Sequence, residues 1–169
     1  EKKGAVFYAL IERHGRPAQA IVAEVLGQVI RGFPWPKSMR WGAGTLRWVR
    51  PLQSILCLLS DEAGAEVVPF EIEGIVAADQ TFGHRFMAPD PITVSGFDAY
   101  QSQLKRAYVM VDAAERRAMI WNEATIQAFA LGLEVIEDPG LLTEVAGLVE
   151  WPVVLMGLID PEFMDLPGE

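Results

Sequence analysis

Residues 53–75, QSILCLLSDEAGAEVVPFEIEGI, decide the fold class. Gln53 to Leu59 and Glu66 to Ile75 are rich in apolar and β-branched residues and read as two strands. Asp61-Glu62-Ala63-Gly64 between them supplies turn chemistry. That turn joins the two strands directly, with no helix between them. Upstream, Ala5 to Ile11 reads as a further strand that ends at the turn His14-Gly15-Arg16. Pro17 suits the first turn of a helix, and Ala18, Ile21, Val22, Val25, Leu26, Val29 and Ile30 recur on one face of it. Gly32 stops that helix, and Pro34 and Pro36 hold the next segment extended.

Downstream, Pro91 to Val94 predicts a strand, and Ser95 with Asp98 forms a capping box for a helix through about Lys105. That helix carries Phe97, Tyr100 and Leu104 inward. Val109 to Val111 is a short strand. Asp112 with Glu115 repeats the capping box and opens a long helix from Ala113 to Leu131, closed by Gly132. Asp138-Pro139 starts another, burying Leu141, Leu142, Val145, Leu148 and Val149. Trp151 to Met156 reads as a buried strand, and Asp160-Pro161 begins a last short turn of helix. Strands and helices do not alternate, so the class is α+β: a mixed or mostly antiparallel sheet packed with about three helices. With 169 residues, 51% of them hydrophobic, the chain is expected to be a single domain over 1–169 whose core suffices for folding alone.

The segment between the first helix and these strands carries the chemistry. Lys37, Arg40, Arg47 and Arg50 are interleaved with Trp35, Trp41 and Trp48. Indole faces stack on bases and guanidinium forks grip phosphates, so the pattern suits a nucleic-acid surface. Against this, strand alternation would face Arg47 and Arg50 oppositely, and the three Trp also suit a core. The net charge of −9 divides into +6 over residues 1–50 and −15 over 51–169. Such asymmetry steers a polyanion to one face, unless folding mixes the two parts.

Other chemistries are poorly served. Two His and a single Cys, at no ligand spacing, do not build a zinc site. Gly42-Ala43-Gly44-Thr45 lacks the third glycine and the Lys-Ser/Thr of a phosphate loop. Ser38, Ser54, Ser60, Ser95 and Ser102 have no context marking a nucleophile. Cys57, in an apolar run, is expected to be buried and inert, which fits a reducing cytoplasm. The longest apolar stretch, Val153 to Ile159, is too short to span a bilayer. His84 and Arg85 have two readings: presentation to a phosphate or ribose, or a loop histidine satisfied internally with Phe86 as anchor. The second is preferred, since no partner for acid–base work accompanies His84. Glu150 is expected to pair, with an arginine of the first third as one choice of partner. Arg116 and Arg117, with Glu115 and Glu123, look like a solvated helix face.

PKSMRWG (residues 36–42) followed by RWVRPL (47–52) resembles the β subunit of the bacterial two-subunit glycyl-tRNA synthetase. TFGHRF (81–86), LVEWPV (148–153) and EFMDLPGE (162–169) agree with that family in the same order. Trp35 and Met164 stand where other apolar residues are expected. Lacking an initiator Met and stopping where the family pattern continues, the chain is expected to be an internal fragment of a larger subunit. The resemblance implies a fold like the editing-type module of the phenylalanyl-tRNA synthetase β subunit. It also implies a non-catalytic part that supports tRNA(Gly) binding and α2β2 assembly. Its partners would be the α subunit, tRNA(Gly) and the rest of the β subunit, with no membrane and a cytoplasmic location. ATP and Mg would be used by the α subunit, leaving no cofactor, metal or catalytic residue here. The nucleic-acid contacts nominated are Lys37, Arg40, Arg47, Arg50, His84 and Arg85. One alternative is an aminoacyl-tRNA editing hydrolase, disfavoured because a glycine pocket already excludes every larger amino acid. Another is a stand-alone protein-interaction domain.

Overall fold

The computed structural model describes residues 7–12 and 14–164. The chain divides between Asp79 and Gln80 into two compact units. Both mix helix and strand, and among the described residues the architecture is α+β with four α-helices and small mixed or antiparallel sheets.

In the first unit, α1 spans Ala18–Gly32 and begins directly after Pro17, as the sequence predicts. Its apolar stripe is only half covered: Val22, Leu26 and Ile30 are partly buried, whereas Ile21, Val25 and Val29 are exposed. The expected strand before it is not formed over its described part. Phe7, Tyr8, Leu10 and Ile11 lack regular structure and stand exposed; Ala5 and Val6 lie outside the described residues. Apolar side chains alone do not make a strand when no partner takes up their backbone groups.

The decisive stretch is more finely divided than its sequence suggests. β1 (Ile55–Leu56) and β2 (Leu58–Asp61) are separated only by Cys57. β2 turns tightly into β3 (Gly64–Val67), pairing antiparallel from Leu58↔Val67 to Asp61↔Gly64. Asp61 Oδ1 fixes the turn by accepting the backbone N–H of Ala63 at 2.8 Å and of Gly64 at 3.2 Å. Pro69 then interrupts, because it has no N–H for a ladder. β4 (Glu71–Ile72) and β5 (Ile75–Ala78) follow as a second antiparallel hairpin. Glu73 (φ 51°) and Gly74 (φ 84°) make its two-residue turn, and the predicted single strand from Glu66 to Ile75 is broken there. β5 also pairs parallel with β1, giving the order β1-β5-β4. Among the described residues, Leu46, Val68, Ile72 and Ala77 are the buried apolar residues of this unit. Cys57 is half-buried rather than buried as expected, and what burial it has pushes its thiol above the ordinary value.

In the second unit, β6 (Gln80–Phe82) pairs antiparallel with β7 (Pro91–Thr93). α2 (Phe97–Arg106) is capped by Gly96 without a side-chain bond. Ser95 lies one residue too early to cap, which corrects the first capping box. Leu104 is buried, but Phe97 is exposed rather than inward. α3 (Ala113–Ala130) follows its prediction closely. Asp112 accepts the N–H of Ala114, while Gly132 at φ 69° closes the far end. There the N–H of Gly132 reaches Phe129 O and that of Leu133 reaches Ala128 O, both orphan carbonyls of the last turn. Glu115 does not complete the capping box; it pairs with Lys105 of α2. α4 (Pro139–Leu148) starts on Asp138, whose Oδ1 accepts the N–H of Leu141. Its buried residue is Ala146; Leu141 and Leu148 are exposed, contrary to expectation.

Neither Val109–Val111 nor Trp151–Met156 is a strand. Met110 N–H donates to Glu150 O at 2.9 Å, but Pro152 has no N–H with which to extend a ladder. Gln127 Nε2 instead holds the Val154 carbonyl at 2.8 Å. A 3-10 turn at Pro161–Phe163 starts on Asp160, as predicted. Among the described residues the buried apolar side chains of this unit are Val94, Leu104, Ala107, Met110, Ala128 and Ala146, of which three are alanine. Such a core is thin for the apolar content of the sequence. No helix among the described residues is long and apolar enough to cross a membrane.

Candidate nucleic-acid interface

Four nominated cations sit on the segment that follows α1. Gly32 and Pro34 end the helix, and the chain returns on itself so that Met39 and Trp48 form an antiparallel bridge. Met39 N–H donates to Trp48 O at 2.8 Å, and Trp48 N–H donates to Met39 O at 3.2 Å. Arg40 and Arg47 are the next residues inside this bridge, so the pairing sets their backbone positions opposite each other. Gly42, at φ 56°, begins the loop that joins them.

Lys37, Arg40, Arg47 and Arg50 are all exposed, and none forms an ion pair among the described residues. Arg47 Nε donates to Ser38 Oγ at 3.2 Å, and Arg50 Nη1 donates to the Val49 carbonyl at 2.8 Å. Other arginines are spoken for: Arg16 pairs with Glu24 at 2.6 Å, and Arg31 with Glu73 at 3.4 Å. Like charges across a strand pair repel unless an anion lies between them, so the bridge creates a site of positive potential.

The tryptophans divide. Trp35 and Trp48 meet edge to face at 4.8 Å, with Phe33 at 4.5 and 5.6 Å from them, all three packing as a small aromatic cluster. The cluster packs beside the bridge, with Phe33 exposed and Trp35 and Trp48 partly buried. Trp41 instead lines a cavity of about 160 Å³ with Gly42, Ala43, Gly44, Leu46 and Glu73. That volume is below what a small-molecule site usually offers.

Glu73 was not singled out by sequence reasoning. Its carboxylate accepts the Thr45 backbone N–H at 3.3 Å, the Thr45 hydroxyl at 3.5 Å and Arg31 Nη1 at 3.4 Å. It also lies against Gly44, where a Cβ would fall 2.7 Å from its Oε2. One side chain thus ties the end of α1, the tip of the 42–45 loop and the β4–β5 turn together. Its left-handed backbone is a strain of about 1 kcal/mol that these contacts offset. The signal was the Glu-Gly pair between two short apolar runs.

His84 and Arg85 belong to the second unit, on the turn between β6 and β7. His84 Nδ1 accepts the backbone N–H groups of Phe86 and Met87 at 3.2 Å each. This places the ring proton on Nε2 and gives His84 the internal role that the sequence preferred. Phe86 departs from that picture: it is 80% exposed and anchors nothing. Arg85 is exposed, with Cζ 5.5 Å from the Phe86 ring centre. Glu150 is exposed and unpaired among the described residues, contrary to the expected ion pair; its carbonyl does the structural work. Arg116 is the opposite surprise. It is half-buried, and its guanidinium donates to the carbonyls of Met110, Val111 at 2.9 Å and Ala146 at 2.8 Å.

The glycyl-tRNA synthetase beta subunit family model matches residues 1–169. The chain belongs to that family. It is 67% identical to the glycine–tRNA ligase beta subunit of Cereibacter sphaeroides over 100% of its own length and 24% of that protein's. The corresponding protein of a Ruegeria species is 67% identical over 99% of the chain, and that of Paracoccus denitrificans 65% identical over 100%. The chain spans about a quarter of the length of these relatives. Within this family segment, no group of three His, Cys, Asp or Glu among the described residues is arranged to hold a metal ion.

Proposed function

We propose that this chain is a non-catalytic part of a glycyl-tRNA synthetase β subunit, working in the cytoplasm. It supports tRNA(Gly) binding and α2β2 assembly while ATP-dependent attachment of glycine takes place on the α subunit. The observation that carries the reading is the family match over the whole chain. The chemistry agrees with it. Lys37, Arg40, Arg47 and Arg50 are exposed cations without carboxylate partners among the described residues, as phosphate contacts require. The many exposed large apolar residues, Leu155 and Phe129 at 83% among them, suit a piece covered by the α subunit or by other parts of the β subunit.

The editing reading has less support. Ser38 Oγ accepts from Arg47, and Ser102 Oγ donates to the Ala99 carbonyl, so neither stands beside a base.

Binding of tRNA(Gly) to the assembled enzyme, titrated with salt, tests the proposal. Lys37→Ala/Arg40→Ala should weaken binding and lower the log–log salt slope by roughly 0.7–0.9 for each phosphate no longer neutralised. An unchanged slope removes these cations from the interface.

A further inference from the structure

Phe86 is an apolar ring 80% exposed on a turn that is itself tightly fixed. Besides the two bonds to His84 Nδ1, His84 N–H donates to Ala107 O at 2.8 Å, and Ala88 N–H donates to His84 O at 2.9 Å. Gly83 packs so closely that a Cβ there would fall 2.4 Å from the Ala107 methyl. The ring is therefore placed in water by a rigid backbone, at a cost in exposed apolar area that the fold does not recover.

The groups around the ring indicate what it receives. Arg85 Cζ lies over one face of the ring, 5.5 Å from its centre, which leaves the other face to a base; the His84 imidazole lies at 6.2 Å, tilted by 56°. Protein interfaces enrich Phe and Arg as well. An exposed aromatic with a guanidinium and an imidazole around it is also the set that stacks an unpaired base and holds its phosphate, and it accords with the proposed tRNA role. The geometry points to a base-stacking site: Phe86 takes one unpaired RNA base on its ring, and Arg85 grips the adjoining phosphate. The inference rests on the proposed function and deepens it, since it adds single-stranded RNA to the phosphate contacts of residues 37–50.

The test uses the assembled enzyme with two probes, a short single-stranded oligoribonucleotide carrying 2-aminopurine and the same strand in a duplex. Phe86→Trp keeps wild-type affinity for the single strand. Phe86→Leu and Phe86→Ala lower it by roughly 5- to 100-fold and leave the duplex unaffected. Circular dichroism matching wild type confirms folding, which the exposure of the ring favours. Wild-type single-strand binding by Phe86→Leu overturns the site, because an apolar contact would then suffice; so does an equal loss on the duplex. If the Phe86 variants are silent while Lys37→Ala/Arg40→Ala weakens tRNA binding, the stacking site falls and the proposed function stands. If both are silent, the stacking site falls and Lys37 and Arg40 leave the interface.

Discussion

Arg116→Ala is expected to lower the unfolding free energy by about 3 kcal/mol. Its guanidinium donates to three backbone carbonyls, from Met110, Val111 and Ala146, and the bonds to Met110 and Ala146 are partly buried. Truncation leaves those oxygens without a donor, and an orphaned buried acceptor costs about 1–3 kcal/mol. The same residue joins the start of α3 to α4 and to the 110–111 segment, so the damage spreads to three parts of the unit. Arg116→Lys keeps the charge but gives up the planar fork, and should recover less than half of the deficit. Urea unfolding followed by far-UV circular dichroism measures both. Wild-type stability in Arg116→Ala would mean that water replaces the guanidinium without cost.

Gly83→Ala is expected to be nearly as damaging, at about 2–3 kcal/mol. The added methyl would lie 2.4 Å from Ala107 Cβ and 2.8 Å from Ala107 O. Ala107 is itself buried, and its carbonyl receives the His84 N–H. Neither neighbour is a flexible side-chain end, so the β6–β7 turn must shift as a whole. Gly147→Ala is the control: no atom lies within 4 Å of a Cβ there, and a helical alanine should stabilise by roughly 0.5–1 kcal/mol. The same denaturation experiment separates steric conflict from a general intolerance of glycine replacement.

The helices were legible because their ends are written in side chains. Pro17 and Gly32 bracket α1, Asp112 and Gly132 bracket α3, and Asp138-Pro139 opens α4. The α+β class followed from strands and helices that do not alternate, the consecutive strands around Asp61 among them. What failed was apolar sequence taken for strand at 7–11 and 151–156. A strand needs a partner's backbone, which a run of apolar residues does not announce, and at Pro152 the missing N–H should have warned against it. Exposure of the predicted buried faces of α1 and α4 has a related origin. Periodicity shows that a face is apolar; it does not say which molecule covers it.

The candidate interface was legible in residue type and less so in arrangement. The interleaving of cations with Trp35, Trp41 and Trp48 suggested one composite surface. The folded segment instead uses Trp35 and Trp48 against each other and leaves the cations outward. Glu73 and Arg116 were missed because their partners are largely backbone groups and residues far along the chain. Arg116 binds a carbonyl 30 positions away, and Glu73 holds a backbone N–H 28 positions away. Backbone acceptors and donors carry no sequence signature, so such clamps become visible only in the fold.

Charging of tRNA(Gly) by the assembled enzyme, with alanine at Lys37, Arg40, Arg47 and Arg50 together, probes the reading at its root. Measured separately, KM for tRNA should rise roughly tenfold or more while kcat stays near wild type, because these cations hold substrate and touch no reacting atom. A collapse of kcat at unaltered KM would place this segment in the chemistry and contradict the account.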